Sequence, residues 1–208
     1  VNKLIIFPFN GNGLEAVDAC KSGFELIGFI DDTIEKQGMG PMQIPVHGRN
    51  FLQTSQEDTK ILAVPGSPTS YLNRKQILND LNIPSNQFAT VIHSSASVSP
   101  LAKIGHNVLI MAGVVITSNA IIGNHVIVLP GTIIHHDVVI GDYSILGSQV
   151  ICAGHVNIAE NCYIGSGSKI KNNVTIGAQA LVGMGSNVIS SVAAKTTVVG
   201  NPAKKHTT

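Results

Sequence analysis

From Ile92 onward an aliphatic residue or Cys returns at every sixth position: Ile92, Val98, Ile104, Ile110, Ile116, Ile122, Val128, Ile134, Ile140, Leu146, Cys152, Ile158, Ile164, Ile170, Ile176, Val182 and Val188. Four residues after each stands a small or β-branched side chain, among them Ala96, Val108, Thr132, Ser144, Cys162 and Ala180. The residue directly after the aliphatic one is often glycine: Gly105, Gly123, Gly141, Gly147, Gly165, Gly177 and Gly183. This run of seventeen hexads has no insertion, and a period of six matches neither an amphipathic helix nor an ordinary hairpin strand. It predicts a parallel β-helix in which each hexad is one short strand and one turn, and three hexads close a triangular coil. Residues 18 apart then stack, with neighbouring coils about 4.8 Å apart. Gly and Asn at the corners tolerate the positive φ such turns demand. Cys152 and Cys162 fall on inward positions and read as small core residues.

Residues 1–88 are patterned differently. Lys3–Phe7, Glu25–Ile30 and Lys60–Val64 read as buried strands, and Leu14–Ser22 and Ser70–Leu81 as helices. Strands alternating with helices predict parallel βαβ units. The stretch Leu81–Thr90, with Pro84, is the expected junction. Two domains follow, 1–88 and 89–208, of class α/β plus all-β.

Composition narrows the function. Charged residues are 12% of 208 and the formal net charge is +1, so nothing suggests nucleic acid or an anionic membrane surface as partner. Mean hydropathy is +0.28, yet the most apolar region, Val108 to Ile134, is broken by Gly113, Asn119, Asn124, His125 and Pro130. A spanning helix needs roughly 20 apolar residues without such breaks. Leu4–Phe7 is too short for the apolar core of a secretory leader, and Cys20, Cys152 and Cys162 form no CxxC pair. A cytoplasmic protein is expected.

Two constellations carry chemistry. Gly11-Asn12-Gly13-Leu14-Glu15-Ala16 fits G-x-G-x-x-A where a strand passes into a helix, and Asp31-Asp32 follow about 20 residues later at the next strand's end. This suits one nucleotide, its phosphates at the helix N-terminus; a tight turn with solvated aspartates is the plainer alternative. In the β-helix, His135-His136-Asp137 opens a corner. Stacking by 18 places Gly154 over His136 and His155 over Asp137, so His136 has open space on one side and a carboxylate to orient it, as a general base requires. A solvated surface histidine is the alternative. Zinc held by His135, His136 and His155 is less consistent, because neighbours on a strand point apart. His47 (in a Pro-flanked loop), His93, His106 and His125 read as ordinary solvated residues. Gly147, Gly165 and Gly183 form a bare strip fit either for an extended ligand or for corners needing positive φ.

The chain resembles the bacterial sugar O-/N-acyltransferases of the sialic-acid O-acetyltransferase type, especially the acetyltransferases of nucleotide-linked 4-amino sugars of the bacillosamine and perosamine kind. The likeness rests on Asn10-Gly11-Asn12-Gly13, Ile30-Asp31-Asp32, Ile44-Pro45-Val46-His47-Gly48, the hexads, Ile134 through Tyr143, Cys152-Ala153-Gly154, and Val199-Gly200-Asn201-Pro202-Ala203-Lys204. It implies a Rossmann-like N-terminal domain binding the nucleotide-sugar, a left-handed β-helix, and a cytoplasmic homotrimer with acetyl-CoA between neighbouring β-helices, no metal and no membrane insertion. By the same resemblance His136 is the catalytic base and Asp137 its acidic neighbour. Asn10, Gly11, Asn12, Asp31, Asp32 and Gly66 hold the nucleotide-sugar, and Ile145, Gly154, Gly165, Ser166, Gly183 and Met184 the acetyl-CoA. The pattern departs at Pro8, where relatives have the glycine opening the nucleotide turn, at Leu129, where an Asn is found, and at Ile145, where many have a second histidine. The expected reaction is acetyl transfer to a sugar 4-amine. O-acetylation of a sialic acid or related sugar, a non-catalytic β-helix, a zinc-dependent hexapeptide enzyme and a nucleotide-sugar oxidoreductase are the alternatives.

Overall fold

The computed structural model describes residues 2–21, 23–54 and 59–206. Its first part is a sheet of five strands, β1 (Asn2–Phe7), β2 (Phe24–Ile30), β3 (Gly38–Met39), β4 (Pro45–His47) and β5 (Lys60–Ala63), in the order β3-β4-β2-β1-β5. All pairings but β3 with β4 are parallel. Helix α1 (Gly11–Cys20) joins β1 to β2, α2 (Phe51–Thr54) lies between β4 and β5, and α3 (Arg74–Asn79) follows β5. The expected βαβ alternation is present, with three differences. First, α1 begins at Gly11, three residues before the sequence expectation, because the Asn10 side chain caps it by accepting from Gly13 N–H at 2.9 Å; the expected last residue, Ser22, lies outside the described residues. Second, the expected helix Ser70–Leu81 is a short 3₁₀ turn, Tyr71–Asn73, running into α3. Third, His47 lies on a strand rather than in a loop, its ring stacked on Phe51 at 3.9 Å.

The second part is a left-handed β-helix of two-residue strands. Its face I carries Val91–Ile92, Leu109–Ile110, Ile127–Val128, Ile145–Leu146, Tyr163–Ile164 and Leu181–Val182; faces II and III continue each coil, as in Ile133–Ile134 and Val139–Ile140. Strands pair in register with those 18 residues on, Ile134 with Cys152 for example. The sixth-position aliphatics and the small residues four further on fill the interior. Inward hydroxyls and the Cys162 thiol satisfy themselves on the next coil's carbonyls: Thr132 donates to Gly147 at 2.8 Å, Ser168 to Gly183 at 3.0 Å, Cys162 to Gly177 at 3.2 Å. Burial pushes the Cys20 and Cys152 thiols up to about 12 and Cys162 to about 11, so they stay protonated core residues. The last coil is two residues shorter: Leu181 pairs with Thr197.

Corner geometry corrects one expectation. Positive φ falls three residues after the aliphatic position, on Asn107, Asn119, His125, Asp137, Asn161 and Gly167 among others. The glycines that directly follow the aliphatics do not adopt it; their bareness serves close approach. A Cβ on Gly147 would meet Ser166 N at 2.5 Å, and one on Gly165 would meet Met184 N at 2.5 Å.

The two parts meet along face I. Its outward residues Val91, Leu109, Ile127, Ile145, Tyr163 and Leu181 pack in one cluster with Leu4, Ala16, Phe29 and Val64. The adjoining corner column at intervals of 18 supplies the polar seam. Asn107 pairs with Ala63 through both its amide atoms, at 2.7 and 2.8 Å. Arg74, fully buried, donates to the carbonyls of Pro65, His125 and Tyr143. Asn161 donates to Leu72 O at 3.2 Å, and Tyr71 donates to Gln179 O at 3.0 Å. The junction is itself part of the sheet: Phe88 bridges Ile61, and Ala89 N–H donates to Ile61 O at 2.8 Å.

Candidate active site

His136 and Asp137 occupy the corner between faces II and III. Asp137 has φ 59°, which turns its carboxylate back along the corner. His136 Nδ1 lies 2.8 Å from Asp137 Oδ2, and Asn119, one coil below, donates to Asp137 Oδ1 at 3.2 Å. These two hydrogen bonds, that from His136 first, hold the Asp137 carboxyl below its ordinary range. An ionised Asp137 fixes the tautomer with hydrogen on Nδ1, leaving Nε2 as the basic atom. The imidazole is about half exposed, and Nε2 has no hydrogen-bond partner among the described residues. Gly154 lies directly against the ring: a Cβ there would come within 2.6 Å of both Cε1 and Nε2. His155 completes the corner, its ring edge-on to His136 at 5.1 Å and its Nε2 3.8 Å from Asp137 Oδ2. The coils are locked together beneath them, His155 N–H donating to His136 O at 3.1 Å. His135 does not join this group.

A second group gathers at the corner between faces I and II. Gly165, Ser166, Gly183 and Met184 line one groove of about 190 Å³ with Pro68, Tyr163, Leu181 and Val182. The walls are mostly apolar. Ile145 does not belong here. It is 2% exposed and sits in the seam, its Cδ1 2.9 Å from where a Gly66 Cβ would be, so its side chain is closed to acetyl-CoA. Leu129 likewise packs against the seam cluster. Both departures from the pattern of relatives are therefore apolar packing positions in this chain.

The third group surrounds the start of α1. Asn12 donates to Gly66 O at 3.0 Å, joining the β1–α1 turn to the segment after β5. Nothing lies within 4 Å of a Cβ on Gly11, whereas one on Gly13 would strike Pro8 O at 2.3 Å; Gly13 thus serves strand–helix packing and Gly11 faces open space. Asp31 is buried and committed: Thr33 N–H and Lys36 Nζ bind its two oxygens, each at 2.9 Å. Despite burial, these partners hold its carboxyl below the ordinary range. Lys36 also reaches Phe9 O at 3.3 Å, tying Asp31 to the chain just before α1. Asp32 turns away to Arg49. Sequence reasoning missed Lys36 and Arg49, which stand in no motif.

His125 is the further correction. It is buried against Tyr143, Phe88 and His106 rather than solvated, and burial, with help from His106 and Arg74, pushes its pKa down to about 4.

Known proteins fit this picture. The bacterial transferase hexapeptide (six repeats) family matches residues 101–135 and 119–154. No curated protein sequence matches the chain. Among solved structures, the acetyltransferase domain of PglB from Neisseria gonorrhoeae, in complex with acetyl coenzyme A, is 25% identical with a TM-score of 0.88 over 99% of both chains. A variant of perosamine N-acetyltransferase from Caulobacter crescentus, in complex with CoA and GDP-perosamine, is 26% identical with a TM-score of 0.83 over 100% of this chain and 98% of that one. WeeI from Acinetobacter baumannii is 26% identical, TM-score 0.83, over 99% of both. No helix among the described residues is long and apolar enough to cross a membrane. In its repeats and its whole-chain fold, the protein is a hexapeptide-repeat protein built like the sugar N-acetyltransferases.

Proposed function

We propose that this protein transfers the acetyl group of acetyl-CoA to the 4-amino group of a nucleotide-linked amino-dideoxy sugar in the cytoplasm. Residues 1–88 hold the nucleotide, and residues 89–208 carry the chemistry. The observation that supports this best is the His136–Asp137 pair on Gly154, an oriented imidazole with its Nε2 open.

His136 Nε2 takes a proton from the acceptor amine as the nitrogen attacks the thioester carbonyl, and the carbon–sulfur bond then breaks to release the thiol. Asp137 holds the ring and stabilises the imidazolium that forms. Gly154 N–H, which donates to no group among the described residues, is the candidate donor to the developing oxyanion. Acetyl-CoA fits the Gly165–Gly183 groove, whose apolar walls suit an extended thiol arm. At the nucleotide end, Asn10, Gly11, Asn12 and Gly66 hold the nucleotide, with Asp31 acting through Lys36.

Groove and base stand on different corners of one prism, so a second subunit must bring one to the other. A closed threefold ring does this at every interface. Outward aliphatics on the faces flanking the His136 corner suit such contacts: Val115, Ile133 and Ile151 on face II are partly buried, and Ile121 and Val139 on face III are exposed.

The test is thiol release from acetyl-CoA over a panel of UDP-, dTDP- and GDP-linked 4-amino sugars, with hydroxy sugars as controls. Release with an amino sugar, abolished in a trimeric His136→Ala protein, is expected. A trimeric His136→Ala protein that keeps most of its rate refutes the assignment of the base, and release with hydroxy sugars alone replaces N- by O-transfer.

A further inference from the structure

We infer that the His136 corner is also a binding site for a single zinc ion or similar soft divalent cation. One donor atom each from His136, Asp137 and His155 lies within 4.8 Å of the other two. The two separations that involve Asp137 Oδ2 are 2.8 Å to His136 Nδ1 and 3.8 Å to His155 Nε2. Ligand atoms around a tetrahedral zinc, with bonds of about 2.0–2.1 Å, stand about 3.3 Å apart, and the observed separations straddle that value. Binding requires the proton on His136 Nδ1 to leave that nitrogen for Nε2, so the metal takes the place of the hydrogen bond to Asp137. Both imidazoles are about half exposed.

Two imidazoles and one carboxylate, with a fourth position open to water, select zinc and its neighbours over magnesium or calcium, which prefer all-oxygen shells. The backbone supports the arrangement. His155 and Asp137 stand at equivalent corner positions of adjacent coils, with φ 60° and 59°, and the ladder fixes their spacing. His155 has no part in the proposed transfer; its value here is as the third ligand. A zinc ion so held draws the His136 imidazole away from its role, so acetyl transfer stops when the site fills. This consequence rests on His136 being the base; the binding itself does not.

The experiment uses tag-free, chelator-treated protein and titrates zinc chloride in competition with a chromophoric zinc indicator. Acetyl-CoA is left out, because the thiol it releases also binds zinc. One zinc per chain is expected, displaced by neither magnesium nor calcium. The His155→Asn variant should weaken binding at least tenfold. Asn fits that corner, since Asn119 and Asn173 hold the same position two coils below and one coil above, with φ 60° and 62°. In a second measurement, acetylated sugar is followed by mass spectrometry: zinc should block the wild type at concentrations that leave His155→Asn active. Failure to bind stoichiometrically, or unchanged affinity in His155→Asn, overturns the site. Zinc bound at one per chain, lost in His155→Asn, supports the site. If that zinc-loaded protein still transfers acetyl groups at full rate, it is the assignment of His136 as base that falls.

Discussion

Adding one methyl group at Gly154 should disable the His136 corner without unfolding it. Gly154 is not in the positive-φ region, so alanine suits its backbone, and the obstacle is the imidazole alone: a Cβ would stand 2.6 Å from both Cε1 and Nε2. Comfortable contact begins at about 3.5 Å, so the ring must retreat by about 1 Å. Because the side chain is about half exposed, it can do so at little cost in stability. The retreat lengthens the 2.8 Å bond to Asp137 beyond roughly 3.5 Å, where it no longer holds the ring. A displacement of this size at the reacting centre costs on the order of 10²-fold in kcat, or about 2.7 kcal/mol. KM for either substrate should change little, and the midpoint of thermal unfolding should stay within about 3 °C. Steady-state kinetics and a thermal melt on Gly154→Ala provide the check, with Asp137→Asn alone and combined. Since both changes break the same bond, their effects should be far from additive. A folded Gly154→Ala protein within twofold of the wild-type kcat, or a double variant whose losses simply multiply, would refute the reasoning.

Two predictions concern the seam. His125 is neutral in the fold down to about 4, whereas an unfolded imidazole titrates near 6.5. Between those values the unfolded chain binds more protons, so stability is full above about pH 7 and falls as pH drops through 6.5 toward 4, by up to about 3 kcal/mol. Urea unfolding at a series of pH values measures this, and His125→Asn, at a corner where Asn107 and Asn161 show that Asn fits, should flatten the slope; an unchanged slope assigns the effect elsewhere. Arg74→Met removes the donor to three carbonyls and should cost about 3 to 5 kcal/mol, with faster proteolysis of the N-terminal sheet. A neutral result would mean that the seam is held by the face I cluster alone.

How much of this was legible in the sequence depends on which atoms do the work. The inward column was plain, because core filling uses side chains and only small or aliphatic ones fit; every sixth residue declares itself. His136, Asp137 and Gly154 were legible for the same reason once residues 18 apart were stacked, and the structure brings them together. The strands β3 and β4, at two and three residues, are too short for any periodicity to reveal. Gly147, Gly165 and Gly183 were ambiguous because glycine answers two different needs. The sequence offered an extended ligand or positive φ as the reason; the coordinates show neither positive φ nor an open strip but close approach of the next coil.

The seam between the two parts shows both limits at once. Its apolar half is written in the sequence: Val91, Leu109, Ile127, Ile145, Tyr163 and Leu181 recur at intervals of 18, whereas the equivalent outward positions on the other faces include Lys103, Asn157, Thr175, Lys169 and Asn187. One outward face that is apolar from end to end must be covered, and the N-terminal sheet covers it. The polar half leaves no such trace. Asn107, His125, Tyr143, Asn161 and Gln179 mix carboxamides with aromatic rings, and three of them serve the seam through their main-chain carbonyl oxygens, which every residue possesses. Their partner Arg74 looks on paper like any surface arginine of an amphipathic helix. Its burial follows from the corner column being a ladder of main-chain acceptors, and a guanidinium is the side chain best able to serve several of them at once. The same logic explains Ile145. The seam needs an apolar residue there to pack beside Gly66 and Arg74, and that need overrides the polar residue suggested by the likeness to other chains.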